Sequence, residues 1–106
     1  MKTFKINEIN IIVGENAKEN WDILNTKKNY WWFHLKSFPS CHVIIEHENP
    51  NNLEILEAAS LCKKYTKYKN MNNLKINYTQ IKNLKKSTDV GSVEFNSNRK
   101  VLTISI

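Results

Sequence analysis

Glycine, proline, cysteine and arginine are scarce in this chain. Its 106 residues include two of each of the first three and a single arginine, Arg99. So few glycines and prolines leave no flexible linker, and we expect one domain over residues 1–106. The two cysteines, Cys41 and Cys62, lack the paired spacing of a disulfide framework and fit a reducing compartment. A single arginine argues against sequence-specific base reading, which favours the bidentate guanidinium.

Long apolar runs are also missing. No run approaches the roughly 18 residues that a membrane-spanning helix needs. The first six residues lack the continuous apolar stretch of a signal peptide. We therefore predict a cytoplasmic protein without a membrane partner. A hydrophobic content of 41% is nevertheless enough to bury a core, which argues against disorder.

The positive charge lies in the second half of the chain. The net charge is +6. Residues 1–53 hold six lysines and six acidic residues, whereas residues 54–106 hold ten basic and four acidic residues. Residues 63–86 contain eight lysines and no acidic residue. This segment predicts a face that binds phosphates, although lysines at a helix C-terminus also suit the helix dipole.

Hydrophobic periodicity predicts an α+β fold with a mainly antiparallel sheet. Two helices are predicted, over residues 17–24 and, from a cap at Asn51, to about residue 68. Strands are predicted at residues 4–6, 9–13, 31–36, 42–47, 75–78, 93–95 and 101–106. Residues 80–89 are interpreted as a basic loop or one helical turn. The last two strands are predicted to form a hairpin over Ser97 and Asn98.

The aromatic segment at residues 30–36 carries the most information. Alternate residues of a strand share a face. One face would hold Trp31, Phe33 and Leu35. The other would hold Trp32, His34 and Lys36. The first face is typical of a core, whereas the second, with a flat ring, an imidazole and an ammonium, is predicted to be exposed and to hold a nucleobase and its phosphate.

Two histidines on neighbouring predicted strands form the second candidate feature. A short turn at residues 38–40 would bring His42 near His34 by antiparallel pairing. They would stack on bases or bond phosphates, unless both are half-buried and satisfied by backbone groups. A two-histidine phosphoesterase would need a hydroxyl residue two positions after each histidine, where this chain has Lys36 and Ile44.

Other chemistry is weakly indicated. A metal site would have to combine the two cysteines with the histidines, without any Cys-x-x-Cys or His-x-x-x-His spacing. No carboxylate pair or glycine-rich phosphate loop is present. We therefore expect no catalysis, no cofactor and no bound metal. Asn16, Lys18 and Asn20 at the start of the first predicted helix form a possible anion site, although ordinary capping explains them as well.

Seven segments in order resemble one known pattern. They are Ile12-Val-Gly-Glu-Asn-Ala-Lys-Glu-Asn20, Trp32-Phe-His34, Pro39-Ser-Cys-His-Val43, Ala58-Ala59, Ile76-Asn-Tyr-Thr79, Asn83-Leu-Lys-Lys86 and Gly91-Ser-Val93. Together they resemble the NFACT RNA-binding domain family, also called DUF814, and this chain is most similar to its small standalone members. The chain departs from the family at Tyr30, where an Asp is usual, and at Ser40-Cys41, where Gly-Ser is usual.

The resemblance implies RNA binding in ribosome-associated quality control, with tRNA or ribosomal RNA as the partner and the large ribosomal subunit as a possible one. It assigns binding to Trp32, His34, His42 and the loop of Lys82, Lys85 and Lys86. Our prediction is a non-catalytic module. The residues predicted to meet phosphates are Lys36, Lys63, Lys67, Lys82, Lys85 and Lys86. DNA binding and a protein-interaction role toward an acidic partner are the alternatives, and the oligomeric state is left open.

Overall fold

The computed structural model describes residues 1–106 and contains two helices and eight strands. The helices are α1 (Ala17–Asp22) and α2 (Asn52–Lys64). The strands are β1 (Lys2–Ile6), β2 (Ile9–Val13), β3 (Trp31–Leu35), β4 (Val43–Ile45), β5 (Lys75–Gln80), β6 (Leu84–Lys86), β7 (Val93–Phe95) and β8 (Leu102–Ser105). Single turns of 3-10 helix occur at Ile81–Asn83 and Asn98–Lys100.

Six strands form one sheet in the order β1-β2-β4-β3-β5-β8, and β6 pairs with β7 as a separate two-stranded ribbon. Every pairing is antiparallel. The predicted α+β class with a mainly antiparallel sheet is therefore confirmed. Strand β3 lies inside the sheet, where Phe33 is opposite Val43 on β4 and Tyr78 on β5. No helix is long and apolar enough to cross a membrane.

Helix α2 covers one face of the sheet and closes the main core. It begins with the predicted capping box, in which Asn51 Oδ1 accepts the Glu54 N–H and the Glu54 carboxylate accepts the Asn51 N–H. Its buried face carries Ala58, Ala59 and Cys62, whose small side chains let the helix approach the sheet closely. Below it lie the predicted core residues of β3. This packing confirms the first face of the aromatic strand as core.

The opposite face of the sheet is covered over one half only. Helix α1 and the β6–β7 ribbon pack on it and form a second, smaller core. The buried members of this core are Ile23, Leu24, Trp32, Ile44 and Ile81. Trp32 is 2% exposed, so the prediction of an exposed tryptophan is wrong. The alternation along β3 is as predicted, but residues distant in sequence supply a second apolar cover.

The connection after β5 also differs from the prediction. Residues 84–86 form strand β6 rather than a loop, and β7 pairs with it instead of forming a hairpin with β8. Asn83 explains the arrangement, because its side chain accepts the Ser97 N–H and donates to the Ser97 carbonyl. These bonds hold the end of the ribbon, and the chain then returns to pair β8 with β5.

Several predicted elements end early. Helix α1 ends at Asp22 and α2 at Lys64, two and four residues before the predicted ends. Strand β4 is limited to Val43–Ile45. The apolar residues that suggested longer helices, such as Tyr68, instead pack from the loop after α2, where Tyr68 stacks on Phe38 with ring centroids 4.1 Å apart.

Candidate nucleic-acid interface

A cleft of about 1040 Å³ opens on the half of the second sheet face that α1 and the ribbon leave uncovered. Its floor is the end of β3 and the neighbouring strands. Its walls come from residues 13–17, the β3–β4 connection at residues 34–42, the loop at residues 65–67 and the ribbon tip at residues 90–93. Segments from four parts of the sequence therefore meet around one concave surface.

Three rings on the floor pack against one another. Trp32 and His34 are stacked, with centroids 5.6 Å apart and planes inclined by 5°. His42 stands nearly perpendicular to both, 5.4 Å from Trp32 and 5.1 Å from His34. The predicted approach of the two histidines is thus confirmed, and Trp32 supports them from below rather than facing solvent.

Hydrogen bonds determine which nitrogen of each imidazole carries the proton. The Trp32 indole N–H donates to His42 Nδ1 over 3.0 Å, so the neutral His42 ring carries its proton on Nε2. His34 Nδ1 lies 2.6 Å from the Leu35 carbonyl oxygen, which can only accept. His34 therefore donates from Nδ1 and presents Nε2 as an acceptor.

Both rings are neutral near physiological pH. Burial, and secondarily the neighbouring His34, lowers the pKa of His42 to about 3. Burial also lowers the pKa of His34, opposed by its bond to the Leu35 carbonyl. A lowered pKa favours the uncharged form. The site therefore offers hydrogen-bonding imidazoles rather than cations or general acids.

Asn20 connects helix α1 to the floor of the cleft. Its Oδ1 accepts the backbone N–H of His42 over 3.2 Å, and the Gly14 N–H donates to the His42 carbonyl over 2.9 Å. A Cβ atom at Gly14 would lie against Asn20 Oδ1 and 3.2 Å from the Asn20 nitrogen. Glycine is therefore needed for this close approach. The Nδ2 group of Asn20 makes no hydrogen bond within the protein.

Asn77 extends the polar floor and was not predicted as a site residue. It lies opposite His34 in the β3–β5 register and lines the cleft. Its Oδ1 accepts the hydroxyl of Thr103 over 3.0 Å, whereas its Nδ2 has no partner in the protein. The sequence signal was a polar residue between Ile76 and Tyr78 in a predicted strand, but only the strand pairing places it beside a histidine.

Two of the predicted phosphate-binding lysines line the cleft. They are Lys36, one alternation beyond His34, and Lys67, in the loop after α2. Neither forms an ion pair with a carboxylate. Lys2 also lines the cleft, but its ammonium is 3.8 Å from the Glu15 carboxylate. The uncompensated positive charge in the cleft is therefore that of the two predicted lysines.

The other predicted lysines lie outside the cleft. Lys63 donates to the Ile106 carbonyl over 3.0 Å. Lys82 and Lys85 are exposed on the 3-10 turn and on β6. Lys86 lies 5.3 Å over the Trp21 ring, whose N–H donates to the Ser92 carbonyl at the ribbon tip. Lys82, Lys85 and Lys86 thus flank the second face, whereas Lys63 lies on α2, which covers the first face. None of the four joins Lys36 and Lys67 in one cluster.

The anion site predicted at the start of α1 finds no support. Asn16 acts as an ordinary N-cap, accepting the Glu19 N–H over 2.9 Å. Lys18 lies 3.3 Å from Asp22, and the Glu15 N–H is taken by the Glu19 carboxylate. The amides and the lysine of this segment are therefore already paired, while Asn20 has the different role described above.

The two cysteines approach each other beside the cleft. The thiol of Cys41 lies 4.0 Å from the Cys62 carbonyl oxygen, and the thiol of Cys62 lies 3.8 Å from the Cys41 carbonyl oxygen. No group of three or more His, Cys, Asp or Glu side chains lies close enough together to hold a metal ion.

Comparison with known proteins gives a consistent result. A family model described as "NFACT protein RNA binding domain" matches residues 2–97. The chain is 31% identical over 98 residues to the Rqc2 homolog RqcH of Bacillus subtilis (strain 168), covering 88% of this chain and 17% of that protein. It is 31% identical over 81 residues to the Rqc2 homolog RqcH of Streptococcus suis (strain 05ZYH33), covering 74% of this chain and 15% of that protein.

One solved structure shares the fold closely. It is described as the C-terminal of the fibronectin/fibrinogen-binding protein from Streptococcus suis. The two superpose with a TM-score of 0.84 at 27% identity, over 93% of this chain and 41% of that one. The chain thus spans only a small part of the curated relatives and less than half of the solved one.

Proposed function

This chain belongs to the NFACT RNA-binding domain family, and we propose that it binds RNA, without catalysis, through the cleft on the second face of its sheet. One observation carries this proposal. The cleft combines two lysines that lack a carboxylate partner with a floor of neutral, hydrogen-bonding rings. Cations meet phosphates and flat polar rings meet bases in proteins that bind unpaired RNA.

Charge supports the assignment of phosphate contacts to Lys36 and Lys67. Both residues line the cleft, so their ammonium groups are within reach of an RNA strand that enters it. Lys82, Lys85 and Lys86 would extend the contact along the outside of the ribbon. Lys63 contributes less, because its ammonium is already bonded to the Ile106 carbonyl.

The state of the histidines supports binding rather than cleavage. General acid–base cleavage of RNA needs a group whose pKa lies near the working pH. Burial lowers the pKa of both His34 and His42, so neither ring is a protonated imidazolium that could act as the general acid at neutral pH. Their role in the proposal is recognition.

Family membership narrows the kind of RNA. The curated relatives are Rqc2 homologues, and the resemblance implied ribosome-associated quality control. We propose tRNA or ribosomal RNA as the target, with the large ribosomal subunit as the wider partner. DNA is the weaker candidate, although contacts to a phosphate backbone alone discriminate poorly between the two.

A salt titration with tRNA tests the proposal. If about four to six phosphates are engaged, log K falls with log of salt concentration at a slope of roughly −3 to −5. The double variant Lys36→Glu/Lys67→Glu should lose most of the affinity. The matched variant Lys82→Glu/Lys85→Glu makes the same charge change outside the cleft and should lose less. Both should keep the wild-type melting temperature.

Three outcomes contradict the proposal. An affinity that does not change with salt concentration would contradict the proposed phosphate contacts. Equal losses of RNA affinity in the two double variants would contradict the cleft as the centre of binding. Binding to fibronectin or fibrinogen without RNA binding would favour a protein-interaction role, which the description of the solved relative makes the second candidate. A DNA duplex of equal length serves as the competitor.

A further inference from the structure

The two cysteines, which the proposed function does not use, face each other across the wall of the cleft. The Cys41 thiol lies 4.0 Å from the Cys62 carbonyl oxygen, and the Cys62 thiol lies 3.8 Å from the Cys41 carbonyl oxygen. The thiol of Cys62 also hydrogen-bonds the sulfur of Cys41. Their side chains therefore point toward each other, which is what a disulfide requires of its two cysteines.

The turn before β4 holds Cys41 in this position. The Ser40 hydroxyl accepts the Leu35 N–H over 3.1 Å and donates to the Cys41 carbonyl over 2.9 Å. The same hydroxyl lies 3.7 Å from the Cys62 sulfur. Cys62 itself lies on the buried face of α2. The contact between the thiols thus joins the β3–β4 connection to the helix, at a point fixed on both sides by packing or hydrogen bonds.

The two thiols differ in access and in acidity. Cys41 is half-buried and lines the cleft, as Lys36 and Lys67 do, whereas Cys62 is 0% exposed. The hydrogen bond from Cys62 lowers the pKa of the Cys41 thiol, against the effect of burial. The same contact, together with burial, raises the pKa of Cys62. Oxidants react with accessible thiols of lowered pKa near positive charge, whereas buried thiols are inert.

We propose that Cys41 is a site of oxidation by peroxide and that Cys62 resolves the product, so that the chain forms a reversible disulfide between the β3–β4 connection and α2. This proposal goes beyond RNA binding and does not depend on it. The geometry that carries it is the reciprocal contact of the two thiols, one of which is reached from the cleft.

The reaction takes place in two steps. The Cys41 sulfur attacks hydrogen peroxide, an S–O bond forms and the O–O bond breaks, which gives Cys41 sulfenic acid and water. The Cys62 sulfur then attacks the sulfenic sulfur, the S–S bond forms and the S–O bond breaks, and the hydroxyl leaves as water with the Cys62 proton. Together the two thiols give up two electrons, and peroxide is reduced to water.

Peptide mapping of the full chain without reduction tests the proposal. Both cysteines lie in residues 37–63, between two lysines, so the digestion must also cut at the glutamates between them. After treatment with hydrogen peroxide, the peptides that carry Cys41 and Cys62 should stay joined and no titratable thiol should remain. Dithiothreitol should separate the peptides and restore both thiols. The whole-chain mass is a poorer measure, because Met1 and Met71 are exposed and also take up oxygen.

Two single variants separate the roles of the cysteines. Cys62→Ala removes the resolving thiol, so the peptide with Cys41 should gain oxygen atoms instead of a cross-link. Cys41→Ser introduces the residue usual in the family and should leave Cys62 reduced under the same treatment, because that sulfur is buried. Thermal melting of the reduced variants controls for folding. If a variant does not fold, the mapping of the wild-type chain still decides the question.

Different results would overturn the proposal. Both thiols of the wild-type chain could stay titratable at a peroxide concentration that oxidises Cys41 in Cys62→Ala. The wild-type Cys41 peptide could gain oxygen without a cross-link, or a non-reducing gel could show disulfides only between two copies of the chain. The salt titration with tRNA tests the proposed function separately, so failure of either proposal leaves the other standing.

Discussion

The two faces of the central sheet are built on the same strands but closed in opposite ways. One long helix, α2, seals the first face, and the residues beneath it are apolar. The second face is covered by a six-residue helix and a short ribbon, which bury Trp32 and stop there. Beyond them the same face carries His34, Asn77 and Lys36 in the open cleft.

The comparison shows that an incomplete cover makes the site. A helix as long as α2 on the second face would bury the polar row and exclude a ligand. The short cover instead keeps the Trp32–His34 stack rigid from below and leaves its end accessible. Trp32, which is buried and supports the site, and His34, which lines the cleft, are thus only two residues apart on the same strand.

The largest expected effect contrasts two phenylalanines on opposite faces. Phe33 is fully buried under α2 and stacks on Tyr78, so Phe33→Ala should lower the free energy of unfolding by about 3–5 kcal/mol. Phe95 is half-buried on the ribbon, so Phe95→Ala should lower the free energy of unfolding by only about 1–2 kcal/mol. Urea denaturation measures both. Equal losses would mean that the second cover is as much a core as the first.

The next effect is a pH dependence that belongs to the second face. The pKa of His42 is about 3 in the folded protein, whereas an unfolded histidine titrates near its usual value of 6.5. Between these values the unfolded chain binds the proton, so stability is complete above pH 6.5 and falls as the pH is lowered. By pH 4 the loss attributable to this ring is roughly 3 kcal/mol.

Urea titrations at several pH values compare the wild type with His42→Gln, which lacks the titrating ring and can still accept the Trp32 N–H. The variant should show a flatter profile over this interval. Identical profiles for the two proteins would show that His42 is not held neutral by burial.

A smaller effect is expected at the contact between α1 and the floor. Gly14→Ala would push a methyl group against Asn20 Oδ1 and the Asn20 nitrogen. We expect a loss of about 1–3 kcal/mol and weaker RNA binding, because the bond from the His42 N–H would be disturbed. Thermal melting and RNA titration measure these effects, with Ser37→Ala, in the same cleft, as the control. Unchanged melting and affinity would show that the close approach is unimportant.

The smallest expected effect is at Lys18. Its side chain is 85% exposed and pairs with Asp22 at the surface, so Lys18→Ala should change stability by no more than about 0.5 kcal/mol. RNA affinity should also stay within error of the wild type in a titration. A tenfold loss of RNA affinity would instead support the anion site predicted from the sequence. It would contradict the proposal that RNA binds only in the cleft.

Local patterns predicted the first face well. The alternation of Trp31, Phe33 and Leu35 identified core residues, and Asn51 with Glu54 identified the start of α2. Both signals depend on neighbours within one strand or one helical turn. The same alternation placed His34 on the opposite face, and the short turn before His42 predicted their proximity, because antiparallel pairing across a short connection is itself local.

Long-range contacts decided what could not be predicted. Residues 84–86 contain one apolar residue and two lysines, which is no strand pattern, yet they pair with β7 because Asn83 binds Ser97. That ribbon buries Trp32. Asn77 reaches the site only through the register of β5 against β3.

By itself, the sequence determined the α+β class, the capped helix α2, the two faces of β3 and the family to which the chain is similar, since each depends on the spacing of nearby residues. Only the tertiary structure decided that Trp32 supports the site from inside, that Lys36 and Lys67 share a cleft, and that Lys63 and Lys82 do not. Whether a residue is buried, and which residues it lies beside, depends on which distant segments pack over it. The spacing of residues along the chain does not specify that packing.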